Sequence, residues 1–411
     1  MFSDRFSGGA GDPNPHWAAK ARLEAAGARV LDLTGSNPTA AGIAYPPGIP
    51  ALLDRASVMR YEPSPQGHPG ARAAVSAYYA TRGRTVRPED LILTASTSEA
   101  YAFLFKLLCN PGDEVLIPSP GYPLFDALAE LEHVSLVRYP LRPGARWRAD
   151  FPFLRSLMST RCKALILVNP NNPTGHLADE AEVRAYLELA SEYGLALIVD
   201  EVFCDYLLGE RPFLPLESAG PLAFTLNGLS KSLGLPQLKL GWIHVAGARE
   251  AVANALGHLE WIADAFLSVN TPVQAAAEDL LKLDHAIQSA ILGRLRANLA
   301  AAESLIAELG QARVQRPEAG WYLVLALQGA YEDEAFAQEL LEERHVYAYP
   351  GHLFGFETGC NLVLSLLGPE AEFREGLRRI LAYAASLPAG IGKGPGQSPG
   401  SDGRSGGADH G

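Results

Sequence analysis

Cysteine is scarce in this chain: four in 411 residues, at Cys109, Cys162, Cys204 and Cys360. They form no C-x-x-C pair and no metal-ligand spacing. That excludes a disulfide scaffold and a thiolate metal site, and it suits a reduced, cytoplasmic protein. Each lone cysteine reads as buried filler. Long apolar runs are also missing: no stretch approaches the roughly 18 residues that a membrane-spanning helix needs. Residues 1–15 are polar and rich in Gly and Pro, without the basic start and apolar run of a secretory signal. Positive charge is in deficit. Lys and Arg number 34 against 46 Asp and Glu, a net charge of −12, which argues against a nucleic-acid partner held by bulk electrostatics.

What is present is the composition of a globular enzyme, 48% hydrophobic and 19% charged. The length suggests a large domain plus a smaller one. Residues 16–31 read as a helix, and a turn-rich arm follows through Asn37-Pro38 and Tyr45–Gly48. From residue 90, short unbroken apolar runs alternate with helical patterns. The runs fall at 91–93, 114–117, 134–139, 164–168, 195–199, 223–226 and 241–245. This pattern predicts an α/β fold with a mostly parallel, seven-stranded sheet between helices. Residues 249–309 read as helical. Strands at 321–327 and 362–366 with helices at 334–344 and 370–387 predict a small α+β domain. The expected division is an N-terminal arm and helix over 1–45, packing with the small domain or a partner, a large domain over 46–290 and a small domain over 291–388. The Gly-, Pro- and Ser-rich tail over 389–411 is expected to be disordered.

In a parallel sheet, ligands bind outside the carboxyl ends of the strands, so the polar residues just after the apolar runs carry the chemistry. Ser96, Thr97 and Ser98 open a helix, with Glu99 at capping-box spacing from Ser96; free N–H groups and hydroxyls there suit a phosphate as well as a plain cap. Tyr122, in Pro120-Gly121-Tyr122-Pro123, can stack on a planar ring or serve the core. Asn172, in Asn171-Asn172-Pro173-Thr174-Gly175, sits in a turn and can donate to a ligand oxygen. Asp200 ends a buried strand, where a carboxylate needs a cationic partner. Lys231, in Ser230-Lys231-Ser232, lies among small and apolar residues, where desolvation makes a lysine a usable amine nucleophile. A phosphate cap, a stacking aromatic, an amide donor, a carboxylate for a ring nitrogen and an amine nucleophile, in this order, describe a pyridoxal-phosphate (PLP) site.

The chain resembles the class I/II aminotransferases of PLP fold type I, from about Leu31 to Leu387, and within them the alanine-aminotransferase-like members. The resemblance rests on Asn171–Gly175, Asp200-Glu201-Val202-Phe203, Ser230-Lys231-Ser232, Gly241-Trp242, Pro111–Val115 and Pro120–Pro123. It implies transfer of an amino group between an amino acid, or related amine, and a 2-oxo acid. It implies Lys231 as the Schiff-base lysine and proton shuttle, Asp200 on the pyridine nitrogen, Asn172 on the phenolic oxygen and Tyr122 against the ring. Ser96, Thr97 and Ser98 with Lys239 would hold the phosphate, and Asn37, Tyr122 and Asn172 would face the substrate. Tyr61 matches a tyrosine that reaches the partner subunit's phosphate, so a homodimer is implied. No metal enters this reading. Rival chemistries on the same cofactor are a lyase, a decarboxylase or a cyclising synthase. A ligand-sensing regulator would need a DNA-binding domain, against which the net charge argues. Three positions depart from the pattern: Phe203 stands for a tyrosine, Lys239 for a phosphate-binding arginine, and Val363 for the arginine that takes the substrate carboxylate. Either another cation takes that carboxylate or the substrate is held differently.

Overall fold

Pro at the first helical turn and an Asn before it start the first helix. In the computed structural model, which describes Arg5 and residues 14–144, 146–329 and 331–387, α1 spans Pro15–Ala25 and the Asn14 side chain accepts from its first free N–H groups. The His16 ring stacks on Tyr347, and its Nε2 lies 3.0 Å from the Ala348 carbonyl. Leu31–Asp32 then pairs in parallel with Val346–Tyr347. The N-terminal arm is thereby tied to the C-terminal part of the chain. The expected disordered tail over 389–411 lies outside the described residues.

The seven apolar runs form one sheet. Its strands are β1 (Leu91–Thr94), β2 (Glu114–Ser119), β3 (Ser135–Arg142), β4 (Arg148–Ala149), β5 (Cys162–Val168), β6 (Ala196–Asp200), β7 (Ala223–Gly228) and β8 (Gly241–Ala246). Their order is β1-β8-β7-β6-β5-β2-β3-β4. Five of them, β2, β3, β5, β6 and β7, run parallel, and β8 is antiparallel to both β7 and β1. The two-residue β4 is an antiparallel edge beyond the expected seven.

Both faces of this sheet are covered, which is why its strands lack polar alternation. Along β5, Ile166 joins one core with Ile198 of β6 and Phe224 of β7 beyond it. That core is closed by helices α2 (Thr97–Leu108) and, further along the chain, Arg249–Asp264. Leu165 and Leu167 point the other way, with Leu197 and Val199, against the helix Glu180–Tyr193. That helix opens with a reciprocal Asp179/Glu182 capping box and closes at Gly194, whose φ of 66° is left-handed.

Helix Asp284–Leu309 carries the chain through residue 290 without interruption toward a second sheet. This one is wholly antiparallel: β9 (Ala312–Val314), β10 (Tyr322–Leu327), β11 (Tyr349–Pro350) and β12 (Cys360–Ser365), in the order β9-β10-β12-β11. Helices Asp333–Arg344 and Glu370–Ser386 belong with it, the latter burying Phe373, Leu377, Ile380 and Leu381. Among the described residues no helix is long and apolar enough to cross a membrane.

Candidate active site

Asp200 and Lys231 stand at the ends of neighbouring strands. Asp200 closes β6, and β7, its parallel neighbour, runs to Gly228 and turns at once into the short helix Leu229–Ser232 that carries Lys231. The turn is held from both sides. Ser232 Oγ donates to the Gly228 carbonyl at 2.9 Å, and the Tyr206 hydroxyl donates to the Lys231 carbonyl at 2.6 Å. Gly228 is needed here, because a Cβ would come within 2.8 Å of Gly241 Cα.

Both groups are taken out of water. Burial pushes the Asp200 carboxyl up, against the pull of the Val202 N–H at 3.1 Å, the Tyr101 hydroxyl at 3.0 Å and the charge of Lys231. Burial pulls the Lys231 ammonium down, and Asp200 opposes it. The Lys231 Nζ lies 4.9 Å from the ring centre of Trp321 and 5.7 Å from that of Phe203. Desolvation disfavours each charge and their mutual attraction only partly offsets it. A ligand that brings a positive ring nitrogen to Asp200 and an aldehyde to Lys231 would relieve both.

They face one cavity of about 510 Å³. Its walls include Thr97 at the start of α2, Asn172, Tyr122, Gly241 and Ser230, with Ser36 from the arm and Tyr322, Tyr349, Leu353 and Phe354 from the small-sheet side. Asn172 is buried and its Oδ1 has no partner within the protein. Such an atom is costly to leave unsatisfied. Its loop is braced by the neighbouring Asn171, whose Oδ1 accepts from the Thr174 backbone N–H and hydroxyl. It is braced also by His176, buried between Glu182 and Glu318, which draw its pKa up against burial.

The other sequence candidates are distributed unevenly. Ser96 is the cap of α2, its Oγ accepting from Glu99 N–H, while the Glu99 carboxylate accepts from Ala95 N–H. Ser98 follows Thr97 in the first turn, partly buried. Lys239 is exposed, in left-handed backbone at φ 56°, just before Leu240 and Gly241 of the cavity wall. Asn37 is exposed and caps its own turn, accepting from Thr39 N–H and hydroxyl; its neighbour Ser36 is the arm residue that lines the cavity. Tyr61 is 75% exposed, in a separate recess with Leu267 and Ser268. Val363 is fully buried in an apolar cluster with Val324, Phe354 and Phe356, with Tyr322 and Tyr349 packed against it. Sequence reasoning missed Tyr101, Ser36, Tyr322 and Tyr349. Only Tyr322 carried a signal, being a polar aromatic at the start of an apolar strand of the small sheet. Among the described residues no group of three or more His, Cys, Asp or Glu could hold a metal.

The chain is similar to known proteins in sequence and in fold. Residues 37–380 match the profile of the family described as aminotransferase class I and II. A glutamate–pyruvate aminotransferase of Escherichia coli K12 is 28% identical over 350 residues, covering 82% of this chain and 85% of its own. An alanine aminotransferase of Mycobacterium tuberculosis is 28% identical over 382 residues, covering 89% and 88%. The solved alanine aminotransferase from Pyrococcus furiosus superposes with a TM-score of 0.86 at 23% identity, over 94% of this chain and 100% of that one.

Proposed function

The chain belongs to the class I and II aminotransferases, whose members use pyridoxal phosphate, and on that premise we propose how its residues divide the work of moving an amino group between an amino acid, or related amine, and a 2-oxo acid. The observation that carries the reading is the pair of desolvated groups, Asp200 and Lys231, facing one cavity from adjacent strand ends. The cavity's donor set fits the cofactor. Asp200 is a buried carboxylate that a ring N–H would satisfy, Asn172 brings a buried amide to the wall whose Oδ1 accepts from no group of the protein, and the start of α2 offers N–H groups and the Thr97 hydroxyl for a phosphate. Tyr122 would lie against the ring, and Ser96, Ser98 and Lys239 are the remaining phosphate candidates.

Pyridoxal phosphate, when bound, supplies the electron sink for charge released at the substrate carbon that bears the amino group. Burial pushes the Asp200 carboxyl up, while the donors Val202 N–H and the Tyr101 hydroxyl favour its charged form; as a carboxylate it would hold a proton on a facing ring nitrogen. Burial draws the Lys231 ammonium down, against Asp200, which favours the neutral amine that would take the proton from the substrate carbon. Asn172 and Asn37, with Tyr122, are the substrate-facing candidates carried over from sequence. Asn172 is the better supported of the two asparagines, since Asn37 spends its acceptor on Thr39.

We further propose a homodimer in which Tyr61 serves the partner's site. Its exposure and its place in a recess separate from the cavity of Asp200 and Lys231 support this, as do the exposed Met59, Phe266 and Leu267. The reduced cysteines fit a cytoplasmic location. The test is a half-reaction: the holoenzyme mixed with an amino donor alone should yield one pyridoxamine phosphate per site with the matching keto product. Failure of every amine tried to give pyridoxamine phosphate would contradict the reading.

A further inference from the structure

The cavity has two walls of opposite character. Among the described residues Lys231 is the one cation that lines it, and that amine is committed to the cofactor. The wall built by the small sheet is neutral. Tyr322 and Tyr349 present phenols there, flanked by Leu353 and Phe354. The pairing of β11 and β12 sets Tyr349 beside Val363, whose buried side chain with Phe354 and Phe356 fills the space behind them. Tyr122 and Ser36 line the same cavity as Tyr322 and Tyr349. Burial pushes Tyr322 up to about 12, so it stays a neutral hydroxyl at physiological pH.

A free carboxylate entering here meets hydrogen-bond donors but no countercharge, and the buried Asp200 carboxylate lies on the opposite wall. A neutral head group, such as the amide, ester or alcohol of an amino compound, finds the same donors and loses less hydration on entry. The geometry points to a neutral clamp: resting on the aminotransferase reading, this site accepts amines with a neutral hydrogen-bonding head group on nearly equal terms with the free amino acids. A buried cationic clamp behaves otherwise. Leaving such a cation unpaired costs enough to separate acid from amide by more than about thirtyfold.

The test uses the holoenzyme and a panel of amino acids with large apolar side chains, each paired with its own amide. The readout is the rate of pyridoxamine phosphate formation, expressed per concentration of unprotonated amine, since amides and acids differ in amine pKa. The best amide should lie within about thirtyfold of the best acid. An acid preference above that would overturn the proposal, because a cation from outside this wall, such as one brought by a second copy, must then take the carboxylate. If neither acids nor amides yield pyridoxamine phosphate, the aminotransferase reading itself falls, a distinguishable result. Tyr322→Phe supplies a second arm, read as the half-saturating concentration for the spectral change on mixing. Acid and amide should each need about fivefold more, from loss of one hydrogen bond, while the simple amine with no head group is unaffected. Equal loss for all three would mean that Tyr322 only shapes the wall, and would overturn its part in the clamp.

Discussion

The two walls of the cavity were built by different physics. The large-sheet wall holds charges at strand ends, each pushed toward neutrality by burial and held in place by donors: Asp200 by Tyr101 and Val202, Lys231 through the bonds of its own turn. The small-sheet wall holds phenols and hydrocarbon, with Val363 at its back. The first is poised for bond-making, since desolvated charges respond strongly to what binds them. The second can only select shape and hydrogen-bond pattern. Catalytic power and substrate choice are therefore separable here, and substitutions on the two walls should fail differently.

The largest effect is expected at Lys231. Lys231→Ala should lower turnover by about ten-thousandfold, the upper range for removing a positioned proton-transfer group, with folding unchanged by circular dichroism. Next is Asp200→Asn, which removes preorganised charge stabilisation and should cost about a hundred- to a thousandfold in kcat while cofactor absorbance persists. Tyr101→Phe removes one donor to Asp200 and should lower kcat by about tenfold, the scale of a hydrogen bond to a charged group. A fall in Tyr101→Phe as deep as that in Asp200→Asn would break the distinction between a group that faces the cofactor and one that positions it.

On the neutral wall, Val363→Ala should leave kcat within about twofold and lower stability by about 2 kcal/mol, from buried methyl groups lost, as read from a urea midpoint. The smallest effect concerns the brace behind Asn172. Glu318 is drawn down from the usual 4.5 to about 2 through its bonds with His176, Leu177 N–H and Arg211, against the opposing effect of burial. A depressed carboxyl stabilises the fold fully above its unfolded pKa, and the contribution is lost as pH falls from about 4.5 toward about 2. Glu318→Gln should therefore be less stable at neutral pH and flatter through that acid window.

The catalytic wall was legible in the sequence because its residues follow unbroken apolar runs. Val199 and Leu226 announce buried parallel strands, and a carboxylate or amine just past such a strand has few bland explanations. The same runs gave the sheet and its seven main strands. The neutral wall was less legible, because Tyr322 and Tyr349 head strands of the small sheet, far along the chain from the strand ends they face, and only tertiary packing brings them to one cavity. Tyr101 was hidden for another reason: it lies inside a helix, where an aromatic at core spacing reads as packing, and its hydroxyl meets Asp200 across 99 positions of sequence. The arm shows the limit of local reading, since the residue lining the cavity is Ser36 rather than its neighbour Asn37, which turns back on Thr39.

The central claim is that Lys231 is the amine that joins the cofactor, and borohydride tests it most directly. Reduction of the pyridoxal-phosphate holoenzyme fixes the imine as a stable secondary amine, and mass mapping of the peptides locates it. The account expects a single pyridoxyl group, on the peptide containing Ser230-Lys231-Ser232. An adduct on another lysine, Lys239 included, or no adduct in a holoenzyme that retains its cofactor, would contradict it.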